Sequence, residues 1–149
     1  MAIPKTPPAV LLASADDTEA QFYEALQQGD LERLMAVWSD DDEIVCVHPS
    51  GARAMGTAAI RASFESIFGN GAVAVQPVRV RRIQAGECAV HSVMERVDIV
   101  TAEGIQTAWA IATNVYLKTA LGWRLAAHHA SPGLPHDMPE LGDNPATIH

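Results

Sequence analysis

Two adjacent histidines near the end of the chain are the residues best suited to proton chemistry. His128 and His129 lie in the apolar segment 122–131, whose composition predicts a strand. Successive strand side chains point to opposite faces, so His129 shares a row with Trp123 and Leu125 and His128 lies on the other row. We therefore expect His129 to face the interior, where an imidazole can act as a base, an acid or a ligand, and His128 to face outward.

A third histidine, His48, ends a shorter predicted strand over residues 44–48. The same alternation places His48 on one face with Ile44 and Cys46, so it is also expected to point inward. A carboxylate beside either inward imidazole would orient the ring, and Glu95 is the nearest inward candidate on a later strand. His91 shares its row.

Three helices are expected to precede the long strands. Ser14 or Asp16, then Asp30, then Thr57, can cap helices whose apolar residues recur at helical spacing. Gly29 can adopt the left-handed conformation that ends the first of them.

From residue 73 onward the apolar pattern has a period of two. This predicts strands over 73–84, 87–100, 105–118 and 123–131, and their short connections favour antiparallel pairing. Helices followed by a strand meander predict an α+β domain, with the helices covering one face of a curved sheet. We assign that domain to 14–131, an N-terminal arm to 1–13 and a C-terminal tail to 132–149.

The strand over 105–118 has one row of small residues and one row of bulky residues. The small row ends in an amide and a phenol: Ala108, Ala110, Ala112, Asn114, Tyr116. We infer that this row faces a cavity under the helices, and that the bulky row, with Trp109 and Ile111, faces a second subunit. The alternative is that the helices pack tightly on the alanines.

Several segments resemble the nuclear transport factor 2-like superfamily, of the ketosteroid isomerase and SnoaL-like type. They are FYEALQQGDLERL at 22–34, VHPSG at 47–51, GTAAIR at 56–61 and GWRLAAHHAS at 122–131. The resemblance implies a conical α+β barrel with a pocket between the sheet and three helices. Members of the superfamily commonly dimerise through the outer sheet face, so the resemblance also implies a homodimer.

The resemblance allows a comparison with the catalytic residues of ketosteroid isomerases. Where those enzymes have an aspartate base before a proline, this chain has His48, and their oxyanion-hole aspartate corresponds to Asn114, which cannot titrate. Their tyrosine corresponds to Phe22, with Tyr23 one residue away. These differences argue against steroid isomerase chemistry and preserve the pocket.

We predict His48 and His129 as catalytic residues, because the resemblance brings their strands side by side. The pair could remove a proton next to a carbonyl group and return it, while Asn114 holds the oxygen. The expected substrate-binding residues are Asn114, Tyr116, Trp38, Tyr23, Glu95 and His91. The alternative is that each histidine only hydrogen-bonds within the core or binds ligand without catalysis.

Composition excludes several classes of partner. A net charge of -8 disfavours nucleic acid, and no apolar run reaches the roughly 18 residues of a membrane span. Two cysteines, Cys46 and Cys88, are expected to be buried free thiols of a cytoplasmic protein. A metal site would require His48, His91 and His129 to converge without any typical ligand spacing, so we expect no metal and no cofactor.

The sequence therefore predicts a protein that binds a small hydrophobic, oxygen-bearing molecule in an internal pocket. Acid–base catalysis of isomerase, cyclase or dehydratase type is the accompanying hypothesis. The alternative is a non-catalytic ligand-binding or association module. The two classes differ in whether the space beneath the helices is open or filled by side chains, and the sequence leaves both open.

Overall fold

A computed structural model describes residues 12–134, which form three helices and six strands. The helices are α1 (Ala15–Gln28), α2 (Leu31–Met35) and α3 (Thr57–Phe68), and the strands are β1 (Val45–Val47), β2 (Arg53–Met55), β3 (Val75–Ala85), β4 (Cys88–Thr101), β5 (Gly104–Thr119) and β6 (Gly122–Pro132). Within that range no helix is both long and apolar enough to cross a bilayer.

The strands form one sheet in the order β2-β1-β6-β5-β4-β3. The four long strands are a continuous antiparallel meander, β1 joins β6 in parallel, and β2 continues β1 as a short hairpin that the sequence pattern did not predict. The sheet is curved and does not close, and the N-terminal helices pack on its concave face. The predicted α+β class is confirmed.

The helix boundaries follow from local capping. Ser14 Oγ accepts a hydrogen bond from the Asp17 N–H at 3.1 Å, and Asp30 Oδ1 accepts one from the Arg33 N–H at the same distance. Gly29 ends α1 with φ of 65°. Thr57 is the first residue of α3, the N-cap position is Gly56, and no side chain accepts a capping hydrogen bond there, so the predicted capping role of Thr57 is wrong.

The two faces of β5 differ as predicted. Ala110, Ala112, Asn114 and Tyr116 are buried, while Ile111 on the opposite row is 41% exposed. The small row therefore lies beneath the helices, and the bulky row covers the outer face of the sheet.

One irregularity in β6 changes which side chains reach the interior. The pairing of β5 with β6 passes from Val115 opposite Ala127 to Tyr116 opposite Leu125, which leaves Ala126 as an extra residue. Such a β-bulge shifts the alternation of faces by one residue for the rest of the strand.

The bulge reverses the faces on which His128 and His129 lie. Leu125 before the bulge and His128 and Ala130 after it are buried, whereas His129 is exposed on the outer face. The predictions that His129 faces inward and His128 outward are therefore both wrong, because strict alternation was assumed through a strand that carries one extra residue.

The proposed arm and tail lie mostly outside the described residues. Leu12, assigned to the arm, is buried, and its carbonyl accepts a hydrogen bond from the Trp123 N–H at 2.8 Å. Residues 1–11 and 135–149 lie outside the described range, so the domain boundaries stay predictions.

Replacing Gly122 with Ala tests this contact. Gly122 has φ of +102°, and an added Cβ would lie 2.7 Å from the Leu12 carbonyl oxygen. Gly104 is a matched control, with φ of +111° and no atom within 4 Å of its Cβ position. We expect Gly104→Ala to lower the free energy of unfolding by about 1–3 kcal/mol through backbone strain, and Gly122→Ala by about 1–3 kcal/mol more. Equal losses in urea denaturation would show that Leu12 does not pack there.

Candidate functional site

A cavity of about 210 Å³ lies between the helices and the concave face of the sheet. Its wall is mostly apolar, with Phe22 from α1 and Phe64 from α3 facing the sheet. Three titratable side chains also line it: His48, Glu95 and His128. An apolar cavity with a few convergent titratable groups has the character of a small-molecule site.

A chain of hydrogen bonds joins two of these groups beneath the cavity. Asn114 Oδ1 lies 2.6 Å from His128 Nδ1, Asn114 Nδ2 donates to Tyr23 Oη at 3.1 Å, and Tyr23 Oη donates to Glu95 Oε2 at 2.7 Å. An amide oxygen only accepts, so His128 carries a proton on Nδ1. In the neutral ring Nε2 then holds a free lone pair, which can accept a proton.

Burial shifts the pKa values of these two groups in opposite directions. Desolvation raises the pKa of Glu95 to about 7; the hydrogen bond from Tyr23 opposes this rise and the charge of Glu19 adds to it. Desolvation, with the charges of His48 and His129, lowers the pKa of His128 to about 3. Near neutral pH the site thus contains a carboxyl group that gains and loses its proton readily and a neutral imidazole.

His48 stands half-buried at the edge of the cavity, directly after β1. Its Nε2 lies 3.0 Å from Ser63 Oγ, and Ser63 donates its own hydrogen to the Ile60 carbonyl at 2.8 Å. The ring must therefore donate to Ser63, which leaves Nδ1 as the lone-pair nitrogen. Burial lowers the pKa of His48, so this ring also favours its neutral form.

The structure brings together some of the predicted site residues. His48 and Glu95 line the cavity, and Asn114 and Tyr23 lie behind it, where they hold His128 and Glu95. Although Tyr23 is one residue away from the position that corresponds to the family's tyrosine, both it and Phe22 are buried on the face of α1 that meets the sheet.

The other predicted residues lie elsewhere. His91 and Tyr116 are buried around Glu19, with His91 Nδ1 at 2.6 Å and Tyr116 Oη at 2.7 Å from Glu19 Oε2. Trp38 packs edge-on against the Phe22 ring, and its buried Nε1 has no hydrogen-bond partner. Neither His91, Tyr116 nor Trp38 is part of the cavity wall.

His129 lies in a separate groove on the outer face of the sheet. The groove has a volume of about 610 Å³ and is lined by Val47, Thr113 and Arg53 among others. A metal site would require His48, His91 and His129 to converge. They do not, because His129 lies in the outer groove and His91 lies beside Glu19. Among residues 12–134 no group of three or more His, Cys, Asp or Glu side chains could hold a metal ion.

The two cysteines are free, as the composition predicts. Cys46 is fully buried, and desolvation together with the charge of Glu95 raises the pKa of its thiol to about 12. Cys88 is only partly buried. A thiol with so high a pKa is a poor nucleophile, so Cys46 serves as packing next to the histidines.

Sequence reasoning missed two important residues, His128 and Glu19. Glu19 had a usable signal, because it lies four residues after Ala15 and three before Phe22, on the apolar stripe of α1. A carboxylate at a core position requires buried partners. The inward turn of His128 had no such signal, since nothing in the residues around Ala126 marks a bulge.

The chain belongs to the SnoaL-like domain family. The family model matches residues 16–135, which spans α1 to the end of the sheet. The membership agrees with the fold and confirms the resemblance to the nuclear transport factor 2-like superfamily. No curated protein matches the chain.

Solved structures give the same result and carry varied descriptions. A proposed calcium/calmodulin-dependent protein kinase type II association domain from Thiobacillus denitrificans is 34% identical, with a TM-score of 0.76 over 84% of this chain and 99% of that one. A proposed dehydratase of the NTF2-like family from Streptomyces avermitilis is 26% identical, with a TM-score of 0.71 over 78% and 92%. The CaMKII hub of S. rosetta shares the fold, with 22% identity and a TM-score of 0.64 over 88% and 100%.

Together the family and the fold support ligand binding or isomerase- and dehydratase-type activity in general. The neighbours also include association and hub domains, which is compatible with a self-associating chain.

The buried Glu95 makes stability depend on pH in a predictable direction. Its pKa rises from 4.5 to about 7 on folding, so between those values the folded state keeps a proton that the unfolded state has lost, and stability falls as pH rises. The loss amounts to about 3 kcal/mol once pH exceeds 7. Replacing Glu95 with Gln removes this term, so urea denaturation should show the variant gaining on the wild type by about that amount between pH 5 and 8. A constant difference would contradict the raised pKa.

Proposed function

We propose that the cavity binds a small, neutral, mostly apolar molecule with one carbonyl oxygen and transfers a proton on it. The observation that carries the proposal is the hydrogen-bond chain that fixes the His128 ring in the same cavity as the protonatable Glu95. The described part of the cavity wall contains no lysine or arginine. Its volume of about 210 Å³ suits a compact ring or short branched chain.

The proposed reaction moves two protons. His128 Nε2 takes a proton from the carbon next to the carbonyl, while Glu95, in its protonated form, gives its proton to the carbonyl oxygen to form an enol. Burial alone disfavours the resulting imidazolium, and the Glu95 carboxylate formed in the same step and the same cavity stabilises it. In the reverse direction the imidazolium returns its proton to carbon and Glu95 regains its own. The proton on His128 Nδ1 stays on that nitrogen throughout and is donated to Asn114 Oδ1, so the amide orients the ring and does not itself react.

His48 has a supporting place in this scheme. Its ring lies at the edge of the cavity with Nδ1 unprotonated, where it can receive a proton that leaves the site. The sequence-based role of His129 passes to His128 in this proposal, because His128 is the histidine of β6 that lines the same cavity as Glu95.

A second candidate function is self-association. The relative from Thiobacillus denitrificans is described as an association domain, and its similarity to this chain extends over 99% of that relative's length. The outer face of β5 presents Ile111 at 41% and Leu117 at 39% exposure, together with the half-buried Trp109 and Val115. We propose a homodimer through this face, compatible with a ligand-binding cavity on the opposite side of the sheet.

We further propose a cytoplasmic location and no nucleic-acid partner. Two free cysteines suit a reducing compartment, and a net charge of -8 opposes binding to phosphate backbones.

Deuterium exchange on a simple ketone tests the acid–base proposal directly. With cyclohexanone in D2O near pH 7, the wild-type protein should accelerate exchange of the hydrogens next to the carbonyl, measured by proton NMR. Glu95→Gln and His128→Gln should each lower this acceleration at least tenfold, because each removes one of the two proton carriers.

The neighbouring histidine supplies the matched control. His129→Gln makes the same chemical change one residue further along β6, on the outer face, and should retain the wild-type rate. A rate lost in His129→Gln and kept in His128→Gln would restore the assignment that strict alternation suggests. No acceleration by the wild type with a series of small ketones would reject the enolisation chemistry.

Replacing Ile111 with Lys tests the proposed dimer. A charge at the centre of an apolar interface should weaken association at least tenfold in sedimentation velocity. Ile99→Lys is the control, because Ile99 is 47% exposed but lies on the concave side, opposite Gln106. Equal sedimentation of both variants and the wild type would place the contact surface elsewhere or show a monomer.

A further inference from the structure

A second set of buried polar residues lies one helical turn away from the proposed site. Glu19 precedes Tyr23 by four residues on α1, so both side chains leave the same face of the helix. The strands repeat this arrangement: His91 and Glu95 share a face of β4, and Tyr116 shares a face of β5 with Asn114. The buried polar layer therefore has two halves, one centred on Glu95 and one on Glu19.

Each half has a carboxylate held by a tyrosine. Tyr23 donates to Glu95 and Tyr116 donates to Glu19, both at 2.7 Å, and the two carboxylates are each 5% exposed. Glu19 also accepts from His91 at 2.6 Å. Two acidic groups in one water-poor core repel each other when both are ionised, and little water is present to screen them.

We infer that Glu19 is a positioning residue that acts on Glu95 through its charge and adds to burial in favouring the protonated form of Glu95 near neutral pH. Glu19 does not line the cavity and touches no substrate. The inference rests on the proposed function, in which a protonated Glu95 donates to the carbonyl oxygen. Burial raises the pKa of Glu95 and the charge of Glu19 adds to that rise; burial also raises the pKa of Tyr23, with the charges of Glu95 and Glu19 adding to it.

Other titratable groups also surround Glu95. The titratable side chains that face it come from α1, β1 with the turn after it, and β6: Tyr23, Cys46, His48, His128. Near pH 7 burial favours the uncharged form of each of them. The side chains that α3 and β3 contribute to the cavity wall are apolar. Among residues 12–134, Glu19 is the carboxylate whose charge acts on Glu95.

Carbon NMR of the glutamate carboxyl groups tests the inference without any substrate. The Glu95 signal is assigned from its absence in Glu95→Gln, and its titration midpoint is followed in the full chain. Glu19→Gln keeps the size of the side chain and an oxygen acceptor but removes the charge, and should lower the Glu95 midpoint by roughly 0.5–1 pH unit. Glu19→Asp keeps the charge and should leave the midpoint within roughly 0.3 unit of the wild type.

Glu24→Gln is the matched control. It removes a carboxylate from the same helix, but Glu24 is exposed and paired with Arg33, so the Glu95 midpoint should not move. If Glu19→Gln does not fold, the triple variant Glu19→Leu, Tyr116→Phe and His91→Leu removes the same charge and replaces every member of this hydrogen-bond cluster with an apolar group.

An unchanged midpoint in the charge-removing variant would overturn the inference. Equal shifts in Glu19→Gln and Glu19→Asp would also overturn it, because packing and not charge would then be the cause. A lowered midpoint in a protein that shows no exchange on ketones would support the coupling and reject the proposed function, so the two failures are distinguishable.

Discussion

The structure depends on how an apolar core accommodates charged and polar side chains. His128, Asn114, Tyr23 and Glu95 form one directed hydrogen-bond chain in which each side-chain nitrogen or oxygen that links the imidazole to the carboxylate has a partner. An unpaired polar group in such a place would cost roughly 1–3 kcal/mol, so the chain is accepted only as a complete unit. The hydrogen bond to Asn114 fixes a proton on His128 Nδ1 and leaves Nε2 as the nitrogen with a lone pair.

The cavity is a consequence of the same arrangement. The small side chains of β5 leave space under the helices, and Phe22 and Phe64, whose rings meet edge-on, line that space. The bulge at Ala126 then turns His128 into it. Without the extra residue, His129 would occupy the interior and the chain to Asn114 could not form in this register. One inserted residue thus selects which imidazole is available for chemistry.

Much of the fold follows from patterns that are local in the sequence. The periodicity of the strands, the Ser14, Gly29 and Asp30 signals and the alanine row of β5 each depend on a few neighbouring residues, and each is found as predicted. The site is less predictable because it depends on register between distant strands. His48, Glu95, Asn114 and Tyr23 were foreseen as interior residues, whereas His91, Tyr116 and Trp38 are interior but belong to other contacts. The faces predicted for His128 and His129 are reversed in the structure, because alternation of side chains along a strand cannot predict a β-bulge.

The ionisation state of His128 tests the central claim most directly. Long-range proton–nitrogen NMR spectra of the histidine rings report both the tautomer and the titration of each one. The account predicts one ring that stays neutral down to about pH 4 with its proton on Nδ1, and that disappears from the spectrum in His128→Gln. A His128 ring that titrates between pH 6 and 7, or that carries its proton on Nε2, would contradict the buried chain and the site built on it.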